Sequence, residues 1–453
     1  MIERERLFND FFAHAPADID VNNIRKQWLA LSPAYAVDKW LLPLPLWAQR
    51  DYDHNGPQAW QVLQEQLGAT CSIQPFCIYI HVPFCSSKCY FCDCYSFKLG
   101  AHQERHFTRY ARQICQELCL WSQQGNVAQR PISTVHLGGG TPTFPGPRYL
   151  TEIVETCRRQ FNTNQQTEWA LESTVESLTD EMIRTMHELG FRRLHLGVQS
   201  LQEPVRQAIK RRRPAAEVLQ TIEKTLSLGW VVSVDLVCGL PYQTLHGWIN
   251  DIQQLVNAGV NGLSLYELLI YPQNRRWATA QGLTHPERHI NNYFMFQVGG
   301  SILARHQYHK NLFNHWSDAR DDNRYFTFPT RGEDCLAIGT IGDGVFGDYH
   351  FRHLRYAAYM RSDMAVSPQL EGGLRRTPRE NELLPMTTAI LANYIPPEYL
   401  PFLHQKTRSG LSFLEQWHAS GLIAPSSQGG FNLTTNGAWF AGNMIRDMNI
   451  EAR

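Results

Sequence analysis

The chain has 453 residues, 43% of them hydrophobic, with 42 Lys plus Arg balanced by 42 Asp plus Glu. That length exceeds one ordinary domain and suits a barrel of roughly 250 residues with additions, while the zero formal charge gives no global signature of nucleic acid or an anionic membrane as partner. Eleven cysteines, four of them within ten residues, argue against an oxidised secreted framework, the first residues lack an apolar signal core, and no apolar run nears membrane-spanning length, so a reduced, cytoplasmic protein is expected.

Residues 1–75 read as an N-terminal extension rich in Trp and Pro, with helical periodicity from Pro57 to Leu67. Its aromatic residues (Trp28, Trp40, Trp47, Trp60) are expected to pack against the main body. From Cys77 an apolar, β-branched run, Ile78 to Val82, stops at Pro83 and reads as a buried strand. Cys85, Cys89 and Cys92 follow, spaced C-x-x-x-C-x-x-C, with Cys94 two residues further on. They fall on the loop leaving a strand's carboxyl end, where α/β enzymes place their chemistry. Three thiolates this close can hold three irons of a [4Fe–4S] cluster and leave the fourth iron without a protein ligand. Zinc sites more often pair two short Cys/His clusters a dozen or more residues apart, and no second cluster of that form is present.

These residues resemble the radical S-adenosylmethionine (SAM) superfamily, whose cluster loop has this spacing. The wider string Tyr79-Ile-His81-Val-Pro83-Phe-Cys85, with Cys94, resembles the branch containing oxygen-independent coproporphyrinogen III oxidase. The resemblance implies a [4Fe–4S] cluster on Cys85, Cys89 and Cys92. Cys94 is then a neighbour of the site with a catalytic role and not a ligand, because a fourth thiolate would close the open iron.

A βα rhythm continues the chain. A helical pattern runs from about Gln103 to Gln123, and the apolar run Ile132 to Leu137 ends in Gly138-Gly139-Gly140-Thr141. Strands follow at Glu168 to Glu172, Arg193 to Gly197, Val231 to Leu236 and Leu263 to Leu268. The helices between them are marked by Thr179, Pro214 at the first helical position and Thr244 as cap. Six alternating strands imply a parallel sheet, open or curled into a partial (β/α)6 barrel spanning 76–307. The polar and glycine residues collect at the strands' carboxyl ends, where such sheets bind ligands.

In the resembled branch a second SAM lies beside the first. Carried over by position, Tyr79, Phe91, Gly139 and Glu172 would meet the first SAM. Gly140, Thr141, Gln199, Arg211 and Asp235 would reach the second.

The segment 308–377 is dense in Gly, Arg, Asp, His and aromatic residues and is expected to supply ligand-binding loops. Its arginines could pair with propionates and its aromatics could lie on a flat macrocycle. His315, His350 and His353 are candidate heme-iron ligands. The segment is similar to the anaerobic heme-degrading radical SAM methyltransferases (ChuW/HutW type), and Asp343 falls where the oxidases would carry an apolar residue near SAM. Residues 378–453 read as a small helical, winged-helix-like module expected to cover the site.

The resemblance implies a radical SAM methyltransferase that opens heme without oxygen and frees its iron, using two SAM molecules and a low-potential donor such as flavodoxin or a reductase. Coproporphyrinogen III decarboxylation is the first alternative. A cluster-bearing heme chaperone is the second, disfavoured by Cys94, since carrier-like relatives usually lack a cysteine there.

Overall fold

The computed structural model describes residues 2–16, 19–69, 71–100, 103–362 and 366–451. Its centre is six parallel strands in sequential order: β1 (Phe76–Val82), β2 (Ile132–Gly139), β3 (Glu168–Ser173), β4 (Arg193–Gln199), β5 (Val231–Cys238) and β6 (Gly262–Glu267). The crossovers carry helices α1 (Glu104–Ser122), α2 (Pro147–Gln160), α3 (Asp180–Glu188), α4 (Ala215–Ser227) and α5 (Leu245–Asn257). Helix starts follow their capping chemistry. Thr179 and Thr244 each accept a backbone N–H of the first turn through their hydroxyls. Pro214 sits one position earlier than expected, at the N-cap itself, with an extended backbone.

Away from the bulges at Phe76/Cys77 and Gly197/Gln199, side chains alternate across these strands. Ile78 and Ile80, Val135 and Leu137, Leu194 and Leu196, Val232 and Val234 face the helices and join the main core with Ile114, Ile153, Ile183 and Ile222. Each such buried aliphatic contributes about 1.5–3 kcal/mol. The opposite face is polar, carrying His136, Glu172, Arg193, His195, Ser233, Asp235 and Ser264, which bond across strands to one another or to the segment that closes this face. A parallel sheet normally buries both faces in apolar contacts. Here one face is reserved for polar chemistry.

Both edges of the core sheet are extended by segment 308–377, and this departs from the loop-rich expectation. Strands β7 (His309–Leu312) and β8 (His315–Ser317) pair antiparallel beside β6, while β9 (Cys335–Ile338) joins β1 in parallel. Strands β10 (Asp343–Phe346), β11 (Tyr349–His353) and β12 (Leu370–Arg375) then continue antiparallel. The resulting 13-stranded sheet stays open, ending at β7 and at the short strand His54–Asn55. Its glycines make room for cross-strand aromatics: a Cβ on Gly344 would lie 2.2 Å from the Phe351 ring, and one on Gly373 2.5 Å from the Tyr349 hydroxyl.

The three candidate iron-ligand histidines are therefore occupied elsewhere. His315 is buried between Ser264 and Asp321, His350 packs tilted against the Trp47 ring and bonds Arg376, and His353 bonds the buried Glu117. Asp343 lies at the surface, paired with Arg352 at 2.6 Å. Helix α6 (Arg288–Arg305) follows β6, and helix α7 (Arg324–Thr330), between β8 and β9, lies against the polar face of β1 and β2.

The N-terminal aromatics pack on the body as expected. Trp28 meets Tyr293 and Phe294, Trp60 meets Trp121, and Trp40 donates to the Trp439 carbonyl. From Pro378 the chain forms helices around a three-stranded sheet whose hairpin, Ile423–Pro425 and Phe431–Leu433, is the expected wing. This unit packs on α6 and the N-terminal extension through Asn436 and Trp439, and its described residues do not line the cavity described below.

Candidate active site

A cavity of about 580 Å³ opens at the carboxyl ends of the core strands. Cys85, Cys89, Cys92 and Cys94 line it with Phe91, Gly139, Gly140, Thr141, Glu172, Gln199, Arg211 and Asp235, so one site gathers residues 150 positions apart. Of the residues expected to hold the cluster or SAM, Tyr79 alone does not line it. Its ring lies face to face with Tyr325 of α7 at 5.0 Å, and its hydroxyl meets His81 at 3.0 Å. Helix α7 occupies the space into which the Tyr79 ring would otherwise open.

The cluster loop begins in a two-residue strand, Phe84–Cys85, held by Phe97–Lys98. The Cys92 amide bonds the Cys89 carbonyl, Thr141 donates to Cys85 Sγ at 3.6 Å, and Lys88 ties down the Cys94 carbonyl and the Ser96 hydroxyl. The Cys94 thiol and nearby Lys88 lower Cys92 to about 6 against the pull of burial. Sharing that proton with Cys92 pushes Cys94 well up, helped by burial. Among the described residues no three His, Cys, Asp or Glu side chains converge on a single-ion site. A [4Fe–4S] cluster asks for something else, one thiolate per iron, and the free thiols of Cys85, Cys89 and Cys92 around one cavity fit it.

Glu172 is held by the glycine turn. Its Oε2 accepts the Gly139 amide at 3.1 Å and its Oε1 meets His136 Nε2 at 3.2 Å. A Cβ on Gly138 would come 2.9 Å from Glu172 Oε1, so the turn needs glycine for this approach. Burial opposes ionisation of Glu172, but His136 and the Gly139 amide outweigh it and keep the carboxyl below its usual range.

On the far wall, a bulge between Gly197 and Gln199 turns Gln199 into a left-handed backbone, φ 70°. Gln199 and Arg211 are 6% and 9% exposed, yet Gln199 Oε1 and Arg211 Nε have no hydrogen-bond partner among the described residues. Buried polar atoms without partners are costly, and two of them in one cavity wall fit a polar ligand there. Lys88, Lys210, Arg212 and Arg213 stand around the cavity, with Lys210 3.8 Å from the Tyr90 ring centre.

His195, Glu176, Tyr266 and Tyr271 also line the cavity and were not anticipated. For His195 the signal lay in the alternation of Arg193-Leu-His195-Leu-Gly197, which puts His195 on the same face as Gly197. Phe326, one of the aromatics of segment 308–377 expected at a ligand, also lines the cavity, and it reaches the site on helix α7 and not on a loop.

Residues 79–255 match the family model of the Radical SAM superfamily, so the chain carries a radical SAM domain, whose cofactors are a [4Fe–4S] cluster and SAM. Among individual proteins, it is 24% identical over 402 residues to anaerobilin synthase of Escherichia coli O157:H7, covering 86% of this chain and 87% of that protein. It is equally 24% identical, over 403 residues, to oxygen-independent coproporphyrinogen III oxidase of Helicobacter pylori J99, covering 84% and 87%. The heme chaperone HemW of Bacillus subtilis 168 is 25% identical over 272 residues, 59% of this chain and 70% of that protein. The solved coproporphyrinogen III oxidase (HemN) of Escherichia coli superposes with a TM-score of 0.73 over 89% of this chain and 97% of that one, at 18% identity, and shares the fold. No helix among the described residues is long and apolar enough to cross a membrane.

Proposed function

We propose that this radical SAM enzyme methylates and opens the heme ring without oxygen, releasing the iron, in the cytoplasm. The observation that carries the reading is the similarity to anaerobilin synthase over 86% of the chain. The cavity supports it with two separate sets of ligand groups. Cys85, Cys89 and Cys92 would hold the cluster, while Phe91, Gly139 and Glu172 would receive one SAM. Gln199, Arg211 and Asp235, with Gly140 and Thr141, would receive a second. The cluster and SAM, when bound, supply reductive cleavage of a sulfonium carbon–sulfur bond and a one-carbon donor.

The chain's own contribution is binding, orientation and shielding. Glu172, already ionised and fixed by the Gly139 amide, is ready to accept from an ammonium or hydroxyl donor. The unpartnered Arg211 Nε suits an anionic group of the second ligand. Lys88, Lys210, Arg212 and Arg213 suit the two propionates of heme, and Phe326 and Tyr266 offer aromatic surface to a flat ring. A low-potential donor such as flavodoxin or a reductase would supply the electrons.

Coproporphyrinogen III decarboxylation stands as the second reading, since the Helicobacter oxidase matches at the same identity. Anaerobic incubation with heme, SAM and a reductant, followed by mass analysis of the pigment, separates the two. The heme reading expects an open-chain pigment carrying one added carbon, 5′-deoxyadenosine formed only with heme present, and free iron. Decarboxylation of coproporphyrinogen III with heme returned unchanged would replace it with the oxidase reading.

A further inference from the structure

One buried proton-carrying group in the cavity wall has no task in the roles above. His195 on β4 is 5% exposed, and its Nε2 meets Asp235 Oδ1 on β5 at 2.7 Å. The ring lines the cavity beside Phe326, 5.8 Å away between ring centres. Its second nitrogen, Nδ1, makes no hydrogen bond among the described residues and is not among the buried atoms lacking partners, so it is open to the cavity. A carboxylate on Nε2 fixes that nitrogen as the N–H, and Nδ1 becomes a donor only when the ring is charged.

The surroundings decide how readily it charges. Facing it are Asp235 from β5, Glu172 from β3, Asp321 from the segment before α7, His136 from β2 and His315 from β8, the last 6.3 Å away between ring centres. Burial works against the imidazolium, but the Asp235 carboxylate outweighs it, and Glu172 and Asp321 add to the effect, so the ring holds its proton above the ordinary histidine range.

The proposed reaction has a need that this group meets. Ferrous iron in heme is held by a tetrapyrrole dianion. When the iron leaves, iron–nitrogen bonds break and two nitrogen–hydrogen bonds form, with no change in oxidation state. An acid lining the cavity can supply these protons. We propose that His195, as imidazolium, donates these protons from Nδ1 to the pyrrole nitrogens as the iron departs, one at a time, with Asp235 holding the ring. After each transfer the neutral ring regains a proton from solvent at the cavity mouth. This rests on the heme reading and gives it a proton donor.

The test compares iron release with heme consumption in the full chain carrying its cluster, using a ferrous chelator and the Soret band. His195→Gln keeps a polar contact to Asp235 but carries no proton, and the ratio of iron release to heme consumption should fall by about a hundredfold, the usual scale of general-acid catalysis. In His195→Ala, added imidazole should restore the ratio. In the wild type the ratio should decline as pH rises through the raised histidine value, and in His195→Gln it should not. Nitrogen NMR of the cluster-free chain gives a readout independent of turnover: the His195 ring should titrate above 6.5 and move down in Asp235→Asn. Iron released in step with heme consumption in His195→Gln overturns the inference and leaves the heme reading intact. A His195 ring that titrates at or below its ordinary value also overturns it. A wild-type enzyme that leaves heme unchanged overturns the heme reading and this inference together.

Discussion

Replacing Glu117 with Gln should destabilise the junction between α1 and the sheet edge, and the loss should depend on pH. Glu117 is fully buried and accepts from four donors: His353 Nε2, the Tyr359 hydroxyl at 2.6 Å, the Gly339 amide at 3.1 Å and Trp121 Nε1 at 3.3 Å. Glutamine offers one acceptor oxygen where the carboxylate offers two, so about two donors lose their partner at about 1–3 kcal/mol each. Breaking a buried ion pair by removing one charge costs about 3–5 kcal/mol, which agrees with that sum. For Glu117, burial raises the carboxyl, but His353 and the other donors outweigh it and lower the carboxyl below its ordinary value of 4.5. For His353, burial lowers the ring, but Glu117 outweighs it and raises the ring above 6.5. The Glu117 part is therefore fully present above 4.5 and lost as pH falls through its lowered value. The His353 part is fully present below 6.5 and lost as pH rises through its raised value. The difference between wild type and Glu117→Gln should be largest between about pH 4.5 and 6.5 and shrink towards pH 9. Urea unfolding followed by tryptophan fluorescence, to which Trp121 contributes among twelve tryptophans, measures it at both ends. A difference under about 1 kcal/mol at pH 5.5, or one that does not vary with pH, would refute the reasoning.

Alanine at Cys85, Cys89 or Cys92 should abolish the roughly four irons per chain that anaerobic reconstitution of a [4Fe–4S] centre should install. Cys94→Ala should leave the cluster's optical spectrum largely intact, and loss of the cluster in that variant would make Cys94 a ligand. Arg211→Gln should cut transfer of label from methyl-labelled SAM to the pigment by about tenfold or more, as loss of one charge-assisted contact allows, while 5′-deoxyadenosine formation falls less. An equal fall in both would assign Arg211 to the first SAM or to the fold.

Much of this site was legible because its signals are local. The spacing of Cys85, Cys89 and Cys92, the proline after the first strand, the threonine caps and the glycine turn each act within a few residues, where covalent geometry and hydrogen bonding decide the outcome. Once strands alternate with helices, the residues at their carboxyl ends must share one edge. Twelve of the expected site residues, with Cys85, Gln199 and Asp235 among them, meet in one cavity for that reason.

The remainder depended on contacts between distant parts of the chain. Segment 308–377 shows the composition of ligand loops, yet β9 pairs with β1 at Cys335 and Cys77, more than 250 positions apart, and its glycines serve cross-strand rings. No local pattern states which strand an edge will find, since register and partner are set by the whole sheet. Tyr79 has the sequence context of a SAM contact, but Tyr325 of α7 covers its face. His353 reads as a loop ligand and is the buried counterion of Glu117. In each case a polar or aromatic side chain fits either a ligand or a protein neighbour, and only the packed structure decides which of the two it meets.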